Sequence, residues 1–284
     1  MNSFISWNDF RKFQSVVRYE RRYVRTPQTE QFLEAVRRTA EGRLSVIQKG
    51  WNLIWRAQRG SCEQEMKQDD GTFYEDIAYP PERMKPRDRM GREGRINPKG
   101  ISCFYGATTP ETAMAEVRPW MGELVSVGRF EVLSEVKVVD CSKYHSKNSW
   151  HILLDKAPGS GLSTQEVEEA VWTHIDHAFS EPVTSSDEMA DYVPTQILAE
   201  VFKADGYDGV AYKSMLTDDG YNIALFDPLK VGQVSGELYK TEKVLFKFGA
   251  DPIDQYFLDA HGGIVRNVVV AIKPVPRGSA EPYA

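Results

Sequence analysis

Apolar residues return at roughly helical spacing through much of the first fifty positions. After a break at Thr26-Pro27, Phe32, Leu33, Val36, Leu44 and Ile47 keep that period, so the stretch is expected to be helical throughout. A short, mostly apolar run from Trp51 to Trp55 predicts a strand that ends in Arg56. The pattern then lapses. Residues 60 to 94 are polar and rich in proline, glycine and charge, with five Lys/Arg from Arg83 to Arg92. A structureless segment of that length inside a compact domain is uncommon and usually functional, so it is expected to border the functional site.

From Ile101 the periods change. Ile101 to Tyr105 predicts a strand, and Pro110 to Val117 a helix with Thr109 as its cap and Glu111 in its first turn. Leu124 to Phe130 and Val136 to Val139 are strand candidates. Ser163 with Glu166 has capping-box spacing and opens a helix to about Phe179; a second helix runs from Pro194 to Ala204. Gly206 to Gly209 turns into a strand at Val210 to Tyr212, and Asn222 to Phe226 adds another. Val244 to Phe248 and Val265 to Ile272 are the last expected strands. There is no internal repeat. Strands with interspersed helices indicate a mixed α/β (α+β) fold rather than either pure class.

Composition narrows the class. The chain has 284 residues, 41% hydrophobic and 11% aromatic, enough to bury a core as one large domain or a domain with an appendage. No apolar run approaches the ~20 residues that span a bilayer, and Met1 to Phe10 lacks a secretory-signal layout. Cys62, Cys103 and Cys141 are too few and too scattered for a disulfide framework. A soluble protein of a reducing cytoplasm is expected. Net charge is −6, but residues 1 to 59 hold twelve Lys/Arg against five Asp/Glu. That basic stretch is either a contact surface for a nucleic acid or acidic partner, or simply a solvated helical face.

Candidate chemistry concentrates between Arg95 and Glu116. Arg95 lies in the turn-rich stretch Gly94 to Gly100, ten residues before Tyr105, and Glu116 follows eleven residues later. A guanidinium grips a pyrophosphate with two parallel hydrogen bonds; the alternative for Arg95 is a surface salt bridge. Arg56 is a second guanidinium able to meet a diphosphate. Tyr105 could stack on a flat heterocycle or simply pack. Glu116, expected to be buried on a helix of small and apolar residues, has the charge to stabilise an oxocarbenium-like transition state. Pairing with Arg118 is disfavoured, since residues two apart on a helix do not face each other. Ser214 ends a strand, as a donor to phosphate or ribose or as a solvated turn serine. His174 and His177 are three apart beside Asp176, without a third metal ligand at a recognised spacing, so no metal is expected. The chain has no G-x-S-x-G, no Walker loop and no G-x-G-x-x-G.

Three segments, Arg95 to Trp120, Gln196 to Ser214 and Asn222 to Pro228, together with Trp55-Arg56, resemble the RES-domain family, named for an arginine, a glutamate and a serine. The resemblance covers about Leu53 to Pro228. It implies a fold related to ADP-ribosyltransferases and the toxin of a bacterial toxin–antitoxin pair, one that degrades NAD+ by hydrolysis or phosphorolysis. It also implies an Xre-type antitoxin as partner. Carried over, it gives Arg95, Tyr105 and Glu116 as the catalytic set, with Arg56 and Ser214 as accessory binding residues. The chain departs from the short toxins in its basic N-terminal stretch and in a longer segment between Arg56 and Arg95.

The resulting expectation is a basic helical extension over 1–50 and a RES domain over 51–284. That domain cleaves the nicotinamide–ribose bond of NAD+. NAD+ is a consumed substrate, inorganic phosphate an optional co-substrate, and no other cofactor or metal is required. Two alternatives stay open: transfer of ADP-ribose to a macromolecule, and a non-catalytic module that binds nucleic acid through the basic stretch. Direct nucleic-acid or membrane binding is not expected, and a two-fold homodimer is the default assembly.

Overall fold

Alternating apolar positions bury both faces of one mixed sheet. In the strand Val136–Cys141, Val136 and Val138 join one apolar cluster, while Val139 and Cys141 join another. The computed structural model describes residues 3–68, 71–148, 152, 161–181, 189–246, 256–258 and 264–266. In chain order the described elements begin with α1 (Asp9–Tyr19), α2 (Pro27–Ala40), β1 (Leu44–Ile47), β2 (Ile54–Arg59), β3 (Cys62–Gln68), β4 (Gly71–Ile77) and α3 (Pro81–Met84). Next come β5 (Phe104–Ala107), α4 (Pro110–Glu116), β6 (Leu124–Val132), β7 (Val136–Cys141), α5 (Thr164–Ser180) and α6 (Val193–Ala204). The series closes with β8 (Gly209–Lys213), β9 (Tyr221–Leu225), β10 (Val231–Lys240), β11 (Tyr256–Leu258) and β12 (Ile264–Arg266).

The main sheet has eight strands in the order β1-β7-β8-β9-β5-β2-β6-β10. Among the described residues, only its β7–β8 pair is parallel. The expected mixed α/β class is what the chain adopts. It separates into two units, Met1–Glu242 and Lys243–Ala284. In the second, the short strands β11 and β12 pair antiparallel.

The basic N-terminal helices belong to the first unit. Phe4, Phe10, Phe13, Phe32 and Leu33 share one cluster with Trp172 and Ile175 of α5 and Phe202 of α6. The apolar stripe faces inward, and several of the basic residues find acidic partners: Arg18 pairs with Asp191, and Arg37 with Glu34 and Asp205. No helix among the described residues is long and apolar enough to cross a membrane.

Most expected elements form, with local caps where the sequence placed them. The Thr109 hydroxyl accepts from the Thr112 N–H at 3.1 Å, and Ser163 with Glu166 closes a capping box. Four regions differ. Leu44 and Ile47, expected to continue a helix, lie in β1, an edge strand paired with β7; the tertiary ladder overrides the helical period. Residues 60 to 94 are not structureless, because β3 and β4 form a separate antiparallel hairpin with mostly exposed side chains, followed by α3. β10 has no expected counterpart: two glycines blur its alternation, and its long pairing with β6 makes it a strand. Residues 244 to 246 form no strand, and the rest of the expected strand to Phe248 lies outside the described residues. Of the stretch from Val265 to Ile272, Val265 and Arg266 lie in β12 and the remainder is also outside them.

Candidate active site

The main sheet opens between β2 and β5, which pair at a single position, Trp55 with Ala107. A cleft of about 390 Å³ lies there, and Arg56, Arg95, Tyr105 and Glu116 all line it. Four of the five residues singled out from sequence therefore meet in one place. Ser214, the fifth, sits just behind the lining, buried against Glu116. Among the described residues of the long polar segment, Gly94 alone joins the lining, and none of the hairpin β3–β4 does.

Arg56 replaces part of the missing ladder. Its Nη1 donates to the Tyr105 carbonyl at 2.8 Å and its Nε to the Met84 carbonyl at 2.9 Å. Burial pushes its guanidinium pKa down to about 10, the nearby Tyr105 opposing that shift, so Arg56 stays a cation near neutrality. Nη2 has no protein partner among the described residues.

Arg95 caps a helix. Its Nη1 donates to the Ala178 carbonyl at 2.9 Å and its Nη2 to the Glu181 carbonyl at 2.6 Å, at the C-terminal end of α5. Unsatisfied carbonyls and the negative end of the dipole make that a natural seat for a cation. Its Cζ lies 5.8 Å from the ring centres of both Tyr192 and Tyr212. A guanidinium has five N–H groups, and the two carbonyls use only two.

The turn that carries Arg95 is fixed from three sides. The Tyr105 hydroxyl accepts from the Ile96 N–H at 3.0 Å and donates to Asn97 Oδ1 at 2.6 Å. Asn97 Nδ2 donates to the carbonyls of Arg92 and Ile101 at 2.8 and 2.7 Å. From α6, Gln196 Nε2 donates to the carbonyls of Gly94 and Asn97 at 2.9 and 3.1 Å. Gly94 is required, since a Cβ there would lie 2.5 Å from the Tyr105 hydroxyl oxygen. Burial holds the Tyr105 phenol pKa well above its ordinary value, with Tyr212 adding to the rise, so both its hydrogen-bond roles persist across physiological pH. Burial raises Tyr212 in the same way.

Glu116 is the last residue of α4 and is exposed, not buried as expected from its apolar neighbours. The helix has seven residues and buries Thr112 and Ala113, so its final turn projects into the cleft. Thr112, one turn earlier on the same face, bonds Thr217 through their hydroxyls at 2.8 Å. Glu116 reaches the start of that loop: its Oε1 accepts from the Ser214 hydroxyl at 2.8 Å and from Asn222 Nδ2 at 2.7 Å. Arg118 is not its partner; it follows the helix in a left-handed conformation, φ 48°. Ser214, read from sequence as a donor to phosphate or ribose or as a solvated turn serine, directs its hydroxyl to Glu116.

A match to the RES domain model spans residues 54–238, more than half of the chain. The chain belongs to the RES-domain family. No curated protein matches this RES-domain chain. Among solved structures, the crystal structure of the M. tuberculosis MbcT-MbcA toxin-antitoxin complex is similar at 12% identity and a TM-score of 0.37, over 72% of this chain and 91% of that one. Likeness at that level carries no argument about this RES domain.

Several residues of the RES-domain cleft carry no individual signal in the sequence. Tyr192, Tyr212, Ser180 and Asn222 line it, and Gln196 braces its turn from α6. Asn222 and Gln196 stand inside the segments that resemble the family, but a lone amide there reads as any strand or helix residue. The histidine spacing dissolves. His174 neighbours the Trp7 ring, His177 bonds the His145 carbonyl, and Asp176 pairs with Arg43.

Proposed function

We propose that this RES-domain chain cleaves NAD+ between nicotinamide and ribose and acts as the toxin of a bacterial toxin–antitoxin pair. One observation carries the reading. Two guanidinium groups, aromatic faces and one carboxylate oxygen with no partner among the described residues line a single cleft. In this reading the remaining N–H groups of Arg95 and Arg56 bind the diphosphate, and Tyr105 lies along the nicotinamide ring. Glu116 then faces C1′ of the ribose.

The chemistry follows from charge. As the C1′–N bond breaks, its electron pair stays on the ring nitrogen and neutralises the pyridinium. Positive charge moves to C1′ and the ring oxygen, and the fixed Glu116 carboxylate stabilises it there. Water adds its oxygen to C1′ and releases a proton, giving ADP-ribose and nicotinamide; phosphate in place of water gives the phosphate ester. The chain's groups supply binding, orientation and charge, and no metal enters the scheme.

Mass spectrometry of NAD+ incubated with the pure chain, with and without phosphate, tests this. Nicotinamide together with ADP-ribose or its phosphate ester is expected, and Glu116→Gln should suppress both. Intact NAD+ in every sample would refute the reading, and ADP-ribose attached to a protein or nucleic acid would move it to transferase chemistry. In a bacterial host, induction should deplete NAD+ and stop growth, whereas Glu116→Gln should not. Restored growth on co-expression of a helix-turn-helix protein would support the antitoxin partnership.

A further inference from the structure

We infer that Asn222 is a positioning residue for Glu116, holding it so that Oε2 is the oxygen presented to the sugar; this rests on the NAD+-cleavage reading of the cleft. Glu116 ends a short helix in open space, where a three-rotor side chain would otherwise sample many conformations. Two buried donors from different segments converge on one of its oxygens, Ser214 Oγ at 2.8 Å and Asn222 Nδ2 at 2.7 Å. Ser214 and Asn222 are 2% and 6% exposed. The backbone of Asn222 is itself held on both sides, because β9 lies between β5 and β8 and pairs Asn222 with Ala107 and Tyr212.

A carboxylate only accepts, so the amide nitrogen of Asn222 must be the atom that faces it. Oε1 thus receives two hydrogen bonds. Oε2 has no hydrogen-bond or ion-pair partner among the described residues. A buried amide at mid-sheet that served packing alone would bond neighbouring backbone. Asn222 instead crosses to the tip of an exposed side chain in the cleft.

Steady-state kinetics of Asn222→Asp tests the assignment, since the side chain keeps its shape but offers an acceptor where a donor stood. The kcat should fall about ten- to a hundredfold, the range for loss of one hydrogen bond to a charged group, with KM for NAD+ changed less than about twofold. In the Glu116→Gln background the same substitution should cost less than about twofold further, because it acts through Glu116. An undiminished kcat, or an equal fold-loss in both backgrounds, would overturn the assignment. If Asn222→Asp does not fold, Asn222→Ala carries the same expectations. A crystal structure of the variant needs no activity: Glu116 Oε1 should leave its place beside Ser214, and an unmoved carboxylate would refute the positioning role. If the wild-type chain leaves NAD+ intact, the reading of the cleft falls, while that structure still decides what Asn222 does.

Discussion

Two regions of this molecule use the same residue types to opposite effect. Beneath α5, Arg43 and Asp176 meet at 2.8 and 3.1 Å, with Arg43 4.1 Å from the Trp172 ring centre and 4.7 Å from that of Tyr144. Asp176 also accepts from the Tyr144 N–H at 2.8 Å, and Arg43 donates to the Asp140 carbonyl at 2.9 Å. The cleft likewise holds arginines, an acid and tyrosines, yet neither Arg56 nor Arg95 forms a salt bridge with Glu116 among the described residues. Each arginine is tied to backbone carbonyls instead. A charge neutralised by its opposite has little left for a ligand, whereas one braced by neutral groups keeps its field. Keeping cation and anion apart leaves both charges available to a ligand.

That contrast can be broken most forcefully at the closed pair. Asp176→Asn leaves the Arg43 charge buried without its counter-ion, and unfolding by denaturant should register a loss of about 3–5 kcal/mol. The opposite profile is expected at the open site. Glu116→Gln should lower kcat about a hundred- to a thousandfold while the melting temperature stays nearly unchanged. A large stability loss there would place Glu116 with the structural charges. Arg95→Ala should fall between the two: losing two charged hydrogen bonds to the end of α5 costs about 2–3 kcal/mol, and the cleft loses a cation. Thermal melts with kinetics on the same sample separate those effects, and a melt identical to wild type would deny the capping role.

The smallest effect is in pH. Burial pushes His174 down to about 4, with Arg11 and His177 adding to the fall, while the unfolded imidazole titrates near 6.5. The unfolded chain therefore binds that proton more tightly, and this group's contribution to stability is lost as pH falls from about 6.5 to about 4. Asp176 is raised from 3.8 to about 6 because burial outweighs the pull of Arg43 and the Tyr144 N–H. Its folded form holds the extra proton between those values, so its contribution grows as pH falls through nearly the same window. The two slopes oppose each other. Removing one with His174→Gln should leave denaturant midpoints that rise as pH drops from 6 to 4. Midpoints that stay as flat as the cancelling slopes predict for the unmutated chain would count against this balance.

Helices and their starts were legible because their signals are local. Thr109, Ser163 and Glu166 satisfy backbone groups within one turn, and no distant residue is needed to choose the cap. Arg56, Arg95, Tyr105 and Glu116 were legible through chemistry and a family pattern, and all four reach the cleft. The strands β1, β3, β4 and β10 were hidden because short, charged or glycine-containing runs become strands only when a partner completes their hydrogen bonds. Leu44 to Ile47 illustrates this, since its helical period yields to pairing with β7.

From the chain alone came the residue types, the caps, the mixed class and the separations of ten and eleven residues that tie Arg95, Tyr105 and Glu116 together. Folding decided what each does with its polar atoms. Arg95 became the cap of α5, the Tyr105 hydroxyl the brace of a turn, and Ser214 a partner of Glu116. Asn222 and Gln196 acquired their parts from strand order and helix placement. The reason is range: the hydroxyl caps Thr109 and Ser163 are satisfied within four residues, but the direction of a carboxylate at a sheet opening depends on donors about a hundred residues away.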